Sequence, residues 1–240
     1  MYKKVITMLA YKRPEYTKQV VDALKKCIGF DEYVLLPTLD PGYPRVLKAF
    51  EGLSNCHIVV NETRIGANLS MLQALQRGFD VSDFVIHLED DIVPGIDSLK
   101  YFEWINQTYK DNKNIFTATA YSRETDIKPE DYFTVYKQKF FTCWLWGTWK
   151  DRFEEIEKEW NREGHLDHAM AYELLKGRCE IVPHLARSHN IGEYDSANNN
   201  TQEFYKTWHY NPVWVNNIPN ISFNNLNYYD TGIITNPRGF

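Results

Sequence analysis

Apolar positions in the first half of the chain follow two alternating rhythms. Val5 to Ala10, Tyr33 to Pro37, His57 to Val60 and Phe84 to Leu88 are short apolar runs of strand length. Between them, apolar residues recur three or four apart. Val20, Val21, Leu24 and Cys27 do so after Pro14, and Val46 to Leu53 predicts a short helix. Leu69, Leu72 and Leu75 do so within Asn68 to Phe79, and Leu99, Phe102, Ile105 and Tyr109 within Asp97 to Tyr109. That spacing puts the apolar residues on one face of a helix, and Pro14 suits a first helical turn. Strands alternating with helices predict βαβ units in a mostly parallel sheet with right-handed crossovers.

The second half is less regular. "IFTATAY" (115–121) and "CEIVP" (179–183) read as strands, and Lys150 to Trp160 and Leu166 to Leu175 as helices. "FFTCWLWGTW" is aromatic and reads as a lining segment. From about residue 190 the chain is rich in Asn, Tyr and Trp but poor in periodicity. It reads as a wrapped, irregular C-terminal segment rather than disorder, which depletes aromatics. No repeat or linker interrupts the chain, so residues 1–240 are expected to form one domain.

Composition narrows the function. The net charge is −5 with both signs interspersed, so no basic stripe is available for a phosphate backbone and nucleic acid is not expected as a partner. No apolar run reaches the roughly 20 residues of a membrane helix. The first apolar run is too short for a signal peptide, and a cytoplasmic protein is expected. The 4 cysteines are far apart without zinc-like spacing and read as reduced thiols.

Polar residues gather where the predicted strands end. Tyr11 and Arg13 follow the first strand, Asp40 the second, Asn61 and Arg64 the third, and Glu89, Asp90 and Asp91 the fourth. In an open parallel sheet, ligands bind in the crevice beyond the carboxyl ends of the strands. Three adjacent carboxylates repel unless a cation or hydrogen bonds compensate. Mn²⁺ or Mg²⁺ would do so through oxygen ligands, and Mg²⁺ completes its shell with water and substrate phosphates. The bland alternative is a solvated turn whose negative charge caps the next helix, work that Asp97 could do alone. Neither a P-loop nor a GxGxxG motif is present.

At these residues the chain resembles glycosyltransferases of the GT-A fold. It is closest to the N-acetylglucosaminyltransferase I type and to related bacterial family-two-like enzymes. The likeness runs in order through "AYKRPEYTKQVVDAL", "LPTLDPG", "RIGANLSMLQAL", "FVIHLEDDIVPGIDSLKYF", "CWLWGTWKDRF", "HLDHAM" and "CEIVPHLARSHNIG". It covers about residues 3 to 195. The resemblance implies an α/β, GT-A (Rossmann-like), mostly parallel central sheet flanked by helices. Residues 1–110 would bind a nucleotide sugar, residues 111–195 would form the acceptor and catalytic half, and residues 196–240 a C-terminal wrap.

The resemblance also implies roles. Tyr11, Arg13, Asp40, Arg64 and Asn68 would contact the donor, with Asp40 reading uracil. Glu89 and Asp90 would hold donor hydroxyls, and Asp91 would ligate Mn²⁺ or Mg²⁺. Asp167 would be the catalytic base, and Trp144 and Trp146 would border the acceptor. His189 and His209 are candidates for the late metal-binding histidine of some relatives. His168 and Ala169 depart from the acidic or aromatic residues that often follow the base, which leaves the acceptor open. The activity implied is a metal-dependent, inverting transfer of a hexose or N-acetylhexosamine from a UDP-sugar to a hydroxyl of a glycan or other acceptor. Two rivals remain: a nucleotidyltransferase acting on sugar phosphates, and a non-catalytic sugar-binding module. Asp151, Glu154 and Glu155 rank below Asp167 as bases, because i,i+4 pairing on a charged helix accounts for them.

Overall fold

A computed structural model describes residues 4–160, 176–193, 202–208 and 210–235, and among these described residues it lays down eleven strands and six helices. The strands are β1 (Lys4–Ala10), β2 (Tyr33–Leu39), β3 (Val59–Val60), β4 (Phe84–Glu89), β5 (Ile92–Pro94) and β6 (Ile115–Thr119). They continue with β7 (Thr134–Gln138), β8 (Trp146–Trp149), β9 (Cys179–Pro183), β10 (Ser188–Asn190) and β11 (Tyr229–Thr235). The helices are α1 (Pro14–Leu24), α2 (Pro44–Leu47), α3 (Gly66–Phe79), α4 (Ser98–Tyr109), α5 (Lys150–Glu159) and α6 (Gln202–Trp208). Nine strands form one sheet in the order β11-β7-β9-β6-β8-β4-β1-β2-β3. Strands β3, β2, β1, β4, β6 and β9 run one way, and β8, β7 and β11 the other. The expected mostly parallel sheet is therefore present.

Alternation along β1 explains the two layers. Val5 packs with Leu36, Met71, Leu72, Leu75, Phe79 and Val85, so α3 covers that face. Ile6 and Met8 point the other way, into a cluster with Val20, Val21 and Leu24 of α1 and Leu99, Phe102 and Ile105 of α4. A strand buried on both faces must be apolar at nearly every position, which is what the run Val5 to Ala10 records.

Several elements differ from the sequence expectation. The helix expected over Val46 to Leu53 begins at Pro44 and passes into a 3-10 turn at Lys48–Phe50. The third strand is only Val59–Val60, exposed at the sheet edge. The C-terminal segment is not merely a wrap: β11 joins the far edge of the sheet, parallel to β7. The charged helix α5 is held by tertiary partners rather than i,i+4 pairs. Arg152 is buried and donates to the carbonyls of Tyr109, Lys110 and Asn112 at the end of α4, Asp151 meets Lys113, and Glu155 meets Arg178. The helix expected over Leu166 to Leu175 lies outside the described residues.

The strands β5 and β10 form a separate antiparallel ribbon, pairing Pro94 with Ser188, Val93 with His189 and Ile92 with Asn190. At one end Gly95 N–H donates to the Arg187 carbonyl at 2.7 Å, and at the other Ile191 N–H donates to the Asp91 carbonyl at 2.8 Å. A segment nearly 100 residues downstream is thereby fastened beside the acidic turn. None of the four cysteines is in a disulfide. Among the described residues no helix is long and apolar enough to cross a membrane.

Candidate functional site

The carboxyl ends of β1, β2, β4 and β6 lie along one edge of the sheet, so the residues that follow them share one rim. Its centre is the turn after β4. Arg13 reaches across from the start of α1 with both terminal nitrogens. Nη2 meets Asp90 Oδ1, and Nη1 lies 2.9 Å from Asp91 Oδ2. The Tyr11 N–H donates to Asp90 Oδ2 at 3.2 Å. The Asp91 side chain is 14% exposed and that of Asp90 6%, so Asp91 is the one offered to a ligand.

Burial pushes the Asp90 carboxyl up to about 6, the pull of Arg13 opposing and the charge of Asp91 assisting. Burial also draws the Arg13 guanidinium down, but Asp91 and Asp90 outweigh it and leave Arg13 above its ordinary value. Glu89 ends β4, half-buried, opposite Leu9 of β1.

Asp40 sits at the end of β2 but faces the entry to α3. Its Oδ1 accepts from Asn61 Nδ2 at 2.8 Å, Ile65 N–H at 3.2 Å and Ser70 Oγ at 3.4 Å, and its Oδ2 from Gly66 N–H at 2.9 Å. A carboxylate has about four acceptor sites, so a nucleobase would compete with donors already in place. A negative charge there also suits the start of a helix. Asn68 lies half-buried in the first turn of α3. The Arg64 guanidinium lies 5.0 Å from the Tyr11 ring centre, and Tyr11 meets Tyr43 edge-on at 4.9 Å. Tyr43 is exposed and was not singled out in the sequence. Only its Pro-flanked position after Asp40 marked it.

The two tryptophans part company. Leu145 between them has φ +55°, a left-handed conformation that costs a branched residue about 1–2 kcal/mol. Its carbonyl accepts from Ala120 N–H at 2.8 Å, which fixes the turn. Trp146 then points wholly into the core against Phe141 and His87 and presents no surface to a ligand. Trp144 stays half-buried, edge-on to Tyr121 at 4.6 Å. The segment Tyr121 to Glu124 after β6 also reaches this rim. Sequence reasoning took "IFTATAY" as a strand and read no site at its end.

His189 lies on β10. Its Nδ1 is 3.0 Å from the Asn211 carbonyl, and its ring stacks on Trp214 at 5.1 Å. Burial holds it below the ordinary histidine range, against the pull of that carbonyl. A neutral ring with Nδ1 engaged leaves Nε2 as the available ligand atom. The ribbon also brings Gly192 against Asp91: a β-carbon there would collide with Asp91 Oδ2 and stand 3.1 Å from Asn190 Oδ1. No sequence pattern announced that contact. Asp167 and His209 lie outside the described residues.

Among the described residues no group of three or more His, Cys, Asp and Glu side chains could hold a metal ion. The donor set nevertheless fits a hard divalent ion of the Mg²⁺ kind, which takes one or two carboxylates and fills its shell with water and substrate phosphate. Asp91, whose side chain is more exposed than that of Asp90, is the carboxylate that would hold it.

No protein-family model and no curated protein sequence matches the chain. Its fold has counterparts among solved structures. One is the mannosyltransferase PcManGT of Pyrobaculum calidifontis in complex with GDP-Man and Mn²⁺, with a TM-score of 0.56 at 12% identity over 76% of this chain and 55% of that one. Another is TarS of S. aureus, with a TM-score of 0.55 at 11% identity over 78% of this chain and 36% of that one. The chain thus spans little more than half of the first and about a third of the second. What is shared is the fold: a large, mostly parallel α/β sheet of the kind on which the mannosyltransferase is built.

Proposed function

We propose that the chain is a metal-dependent glycosyltransferase that moves a hexose or N-acetylhexosamine from a nucleoside-diphosphate sugar to a hydroxyl of a glycan or other acceptor. The observation that carries this reading is the Arg13–Asp90–Asp91 cluster at the carboxyl edge of a sheet shared with a mannosyltransferase. An arginine beside two carboxylates suits a diphosphate and a hard cation together.

Asp91 would hold Mn²⁺ or Mg²⁺, and the ion supplies neutralisation of charge on the leaving diphosphate. Glu89 and Asp90 would accept hydrogen bonds from donor hydroxyls. Tyr11, Tyr43 and Arg64 offer aromatic and cationic faces to the base, near Asp40 and Asn68. Trp144 would border the acceptor, and Trp146 would support it from the core. His189 is the candidate second-row or direct ligand of the ion. Asp167 would take the acceptor proton as general base, with inversion at the anomeric carbon in a single displacement.

Uridine is the first expectation for the base, from the resemblance around Asp40. Guanosine is the second reading, favoured by the GDP-Man of the P. calidifontis enzyme.

The test is a panel of UDP- and GDP-sugars with and without Mn²⁺, scored for nucleoside diphosphate release. A sugar-binding module would release nothing, and a nucleotidyltransferase would release nothing from these donors but would release pyrophosphate when given a nucleoside triphosphate and a sugar phosphate. In the active combination Asp167→Asn should lower turnover about 10²–10⁴-fold without weakening donor binding. Turnover close to wild type would remove Asp167 from the mechanism.

A further inference from the structure

We propose that Arg13 is the resident counter-cation of the acidic turn, pairing with Asp90 and Asp91 in the donor-free protein and so making divalent-ion binding depend on the donor diphosphate. The inference rests on the metal-and-donor reading above and concerns the state before the donor arrives.

Three observations carry it. One guanidinium serves both carboxylates, with a separate nitrogen on each. Arg13 is also held from behind. Its carbonyl accepts from the Thr17 N–H and from Thr17 Oγ1, each at 2.9 Å, and its guanidinium lies 5.4 Å from the Tyr16 ring centre. Finally, the pair is not sealed: Arg13 and Asp91 keep 15% and 14% of their side-chain surfaces exposed, so a ligand can reach both partners.

The physical consequence is a competition. A divalent ion on Asp91 would sit beside a fixed positive charge and displace a bond that Arg13 already makes. Like charges at such a distance repel strongly in a half-buried site. A diphosphate changes the balance, because its oxygens give the guanidinium planar, bidentate acceptors of its own. Asp91 is then released to the ion. Coupling of this kind between two ligands amounts to about 5–150-fold in affinity, and it is reciprocal.

The experiment measures Mn²⁺ binding by water proton relaxation enhancement, which separates protein-bound Mn²⁺ from Mn²⁺ held by free nucleotide. Titrations are run on the whole chain alone and with UDP or GDP. In the wild type, the preferred nucleotide should tighten Mn²⁺ binding at least about tenfold. Arg13→Gln should tighten Mn²⁺ binding in the absence of nucleotide by about tenfold and weaken the coupling by a similar factor. Arg13→Lys, which keeps the charge, should stay near wild type in the absence of nucleotide.

Wild-type Mn²⁺ affinity that does not respond to either nucleotide overturns the proposal, and so does an Arg13→Gln protein that folds and binds Mn²⁺ alone no better than wild type. If Arg13→Gln does not fold, Arg13→Met is titrated in its place, and tighter Mn²⁺ binding without nucleotide decides for the proposal while unchanged binding decides against. Failure of the functional reading looks different: neither Mn²⁺ nor nucleotide binds the wild type in any combination.

Discussion

The two ends of the β5–β10 ribbon each carry an arginine–aspartate pair, and they are built for different purposes. At one end Arg187 and Asp97 are both 0% exposed. Arg187 Nε lies 3.0 Å from Asp97 Oδ2, Nη1 donates to the Leu185 carbonyl at 2.8 Å, and Nη2 donates to the Tyr132 carbonyl. The Tyr228 hydroxyl adds a 2.7 Å bond to Asp97, and the guanidinium lies 4.9 Å from the Tyr228 ring centre. At the other end Arg13 meets Asp90 and Asp91 at a rim open to ligands. A pair whose donors all end on the protein can only hold the chain together, whereas one with surface left over can exchange partners. The contrast also corrects the expectation for Asp97. It precedes α4 as the cap residue, but its side chain makes no cap bond and serves Arg187 and Tyr228 instead.

The sharpest way to break the comparison is to remove each arginine. Arg187→Met strands a buried carboxylate, which costs about 3–5 kcal/mol of stability. Adding Asp97→Asn should restore part of it, because the stranded charge is gone. Arg13→Gln should cost only about 1–2 kcal/mol. Asp90, with its carboxyl already at about 6, can take a proton and keep the Tyr11 bond. Urea melts of the three variants at pH 7 give the ranking. Equal losses for the two single variants would show that the pairs do not differ in kind.

Two glycines sharpen the same contrast on a smaller scale. A β-carbon on Gly95 would collide with Val215 and stand 2.9 Å from the Arg187 carbonyl oxygen. Backbone cannot yield cheaply, so Gly95→Ala should cost about 1–3 kcal/mol of stability. A β-carbon on Gly192 meets Asp91 Oδ2, the tip of a side chain that can swing away. Gly192→Ala should therefore leave stability within about 1 kcal/mol of wild type while weakening Mn²⁺ binding in the presence of nucleotide. Thermal melts paired with the relaxation titration separate the two effects. A large stability loss in Gly192→Ala would place that residue with the fold rather than the site.

How much of this was legible follows from the range of each signal. The run Val5 to Ala10 and the helix face Leu69, Leu72, Leu75 are periodic within a short window, so the strands and helices of the first half could be read, along with the polar residues at their ends. β5 and β10 are three residues each, too short to show a period. Their pairing depends on partners nearly 100 residues apart, so neither Arg187 nor Gly192 carried a mark. "HIVV" misled because an apolar run does not reveal that its strand is a two-residue edge. In "CWLWG" nothing in composition says which tryptophan turns inward, since the φ of Leu145 decides it.

Glu180 completes the comparison with a third way to neutralise a buried carboxyl. Among the described residues no cation pairs with it. Thr117 Oγ1 lies 3.0 Å from Oε1, Gln138 Nε2 2.8 Å from Oε2, and Thr142 N–H 3.2 Å from Oε1. Tyr101 and Tyr136 also feel its charge. Burial pushes the carboxyl up to about 8, against the opposing hydrogen bonds of Gln138, Thr142 and Thr117. The group is therefore neutralised by a proton. Because the folded value lies above the unfolded one, the folded chain binds more protons between about pH 4.5 and 8. The associated stability is complete below that window and is lost as pH rises through it. Glu180→Gln carries no charge at any pH and can keep an amide in the same hydrogen-bonded slot. It should match wild type to within about 1 kcal/mol at pH 4.5 and exceed it by about 3–5 kcal/mol at pH 9. Urea melts at the two pH values read the difference. Parallel pH dependences for the two proteins would mean that Glu180 ionises without cost, and that its polar neighbours alone do what Arg187 does for Asp97.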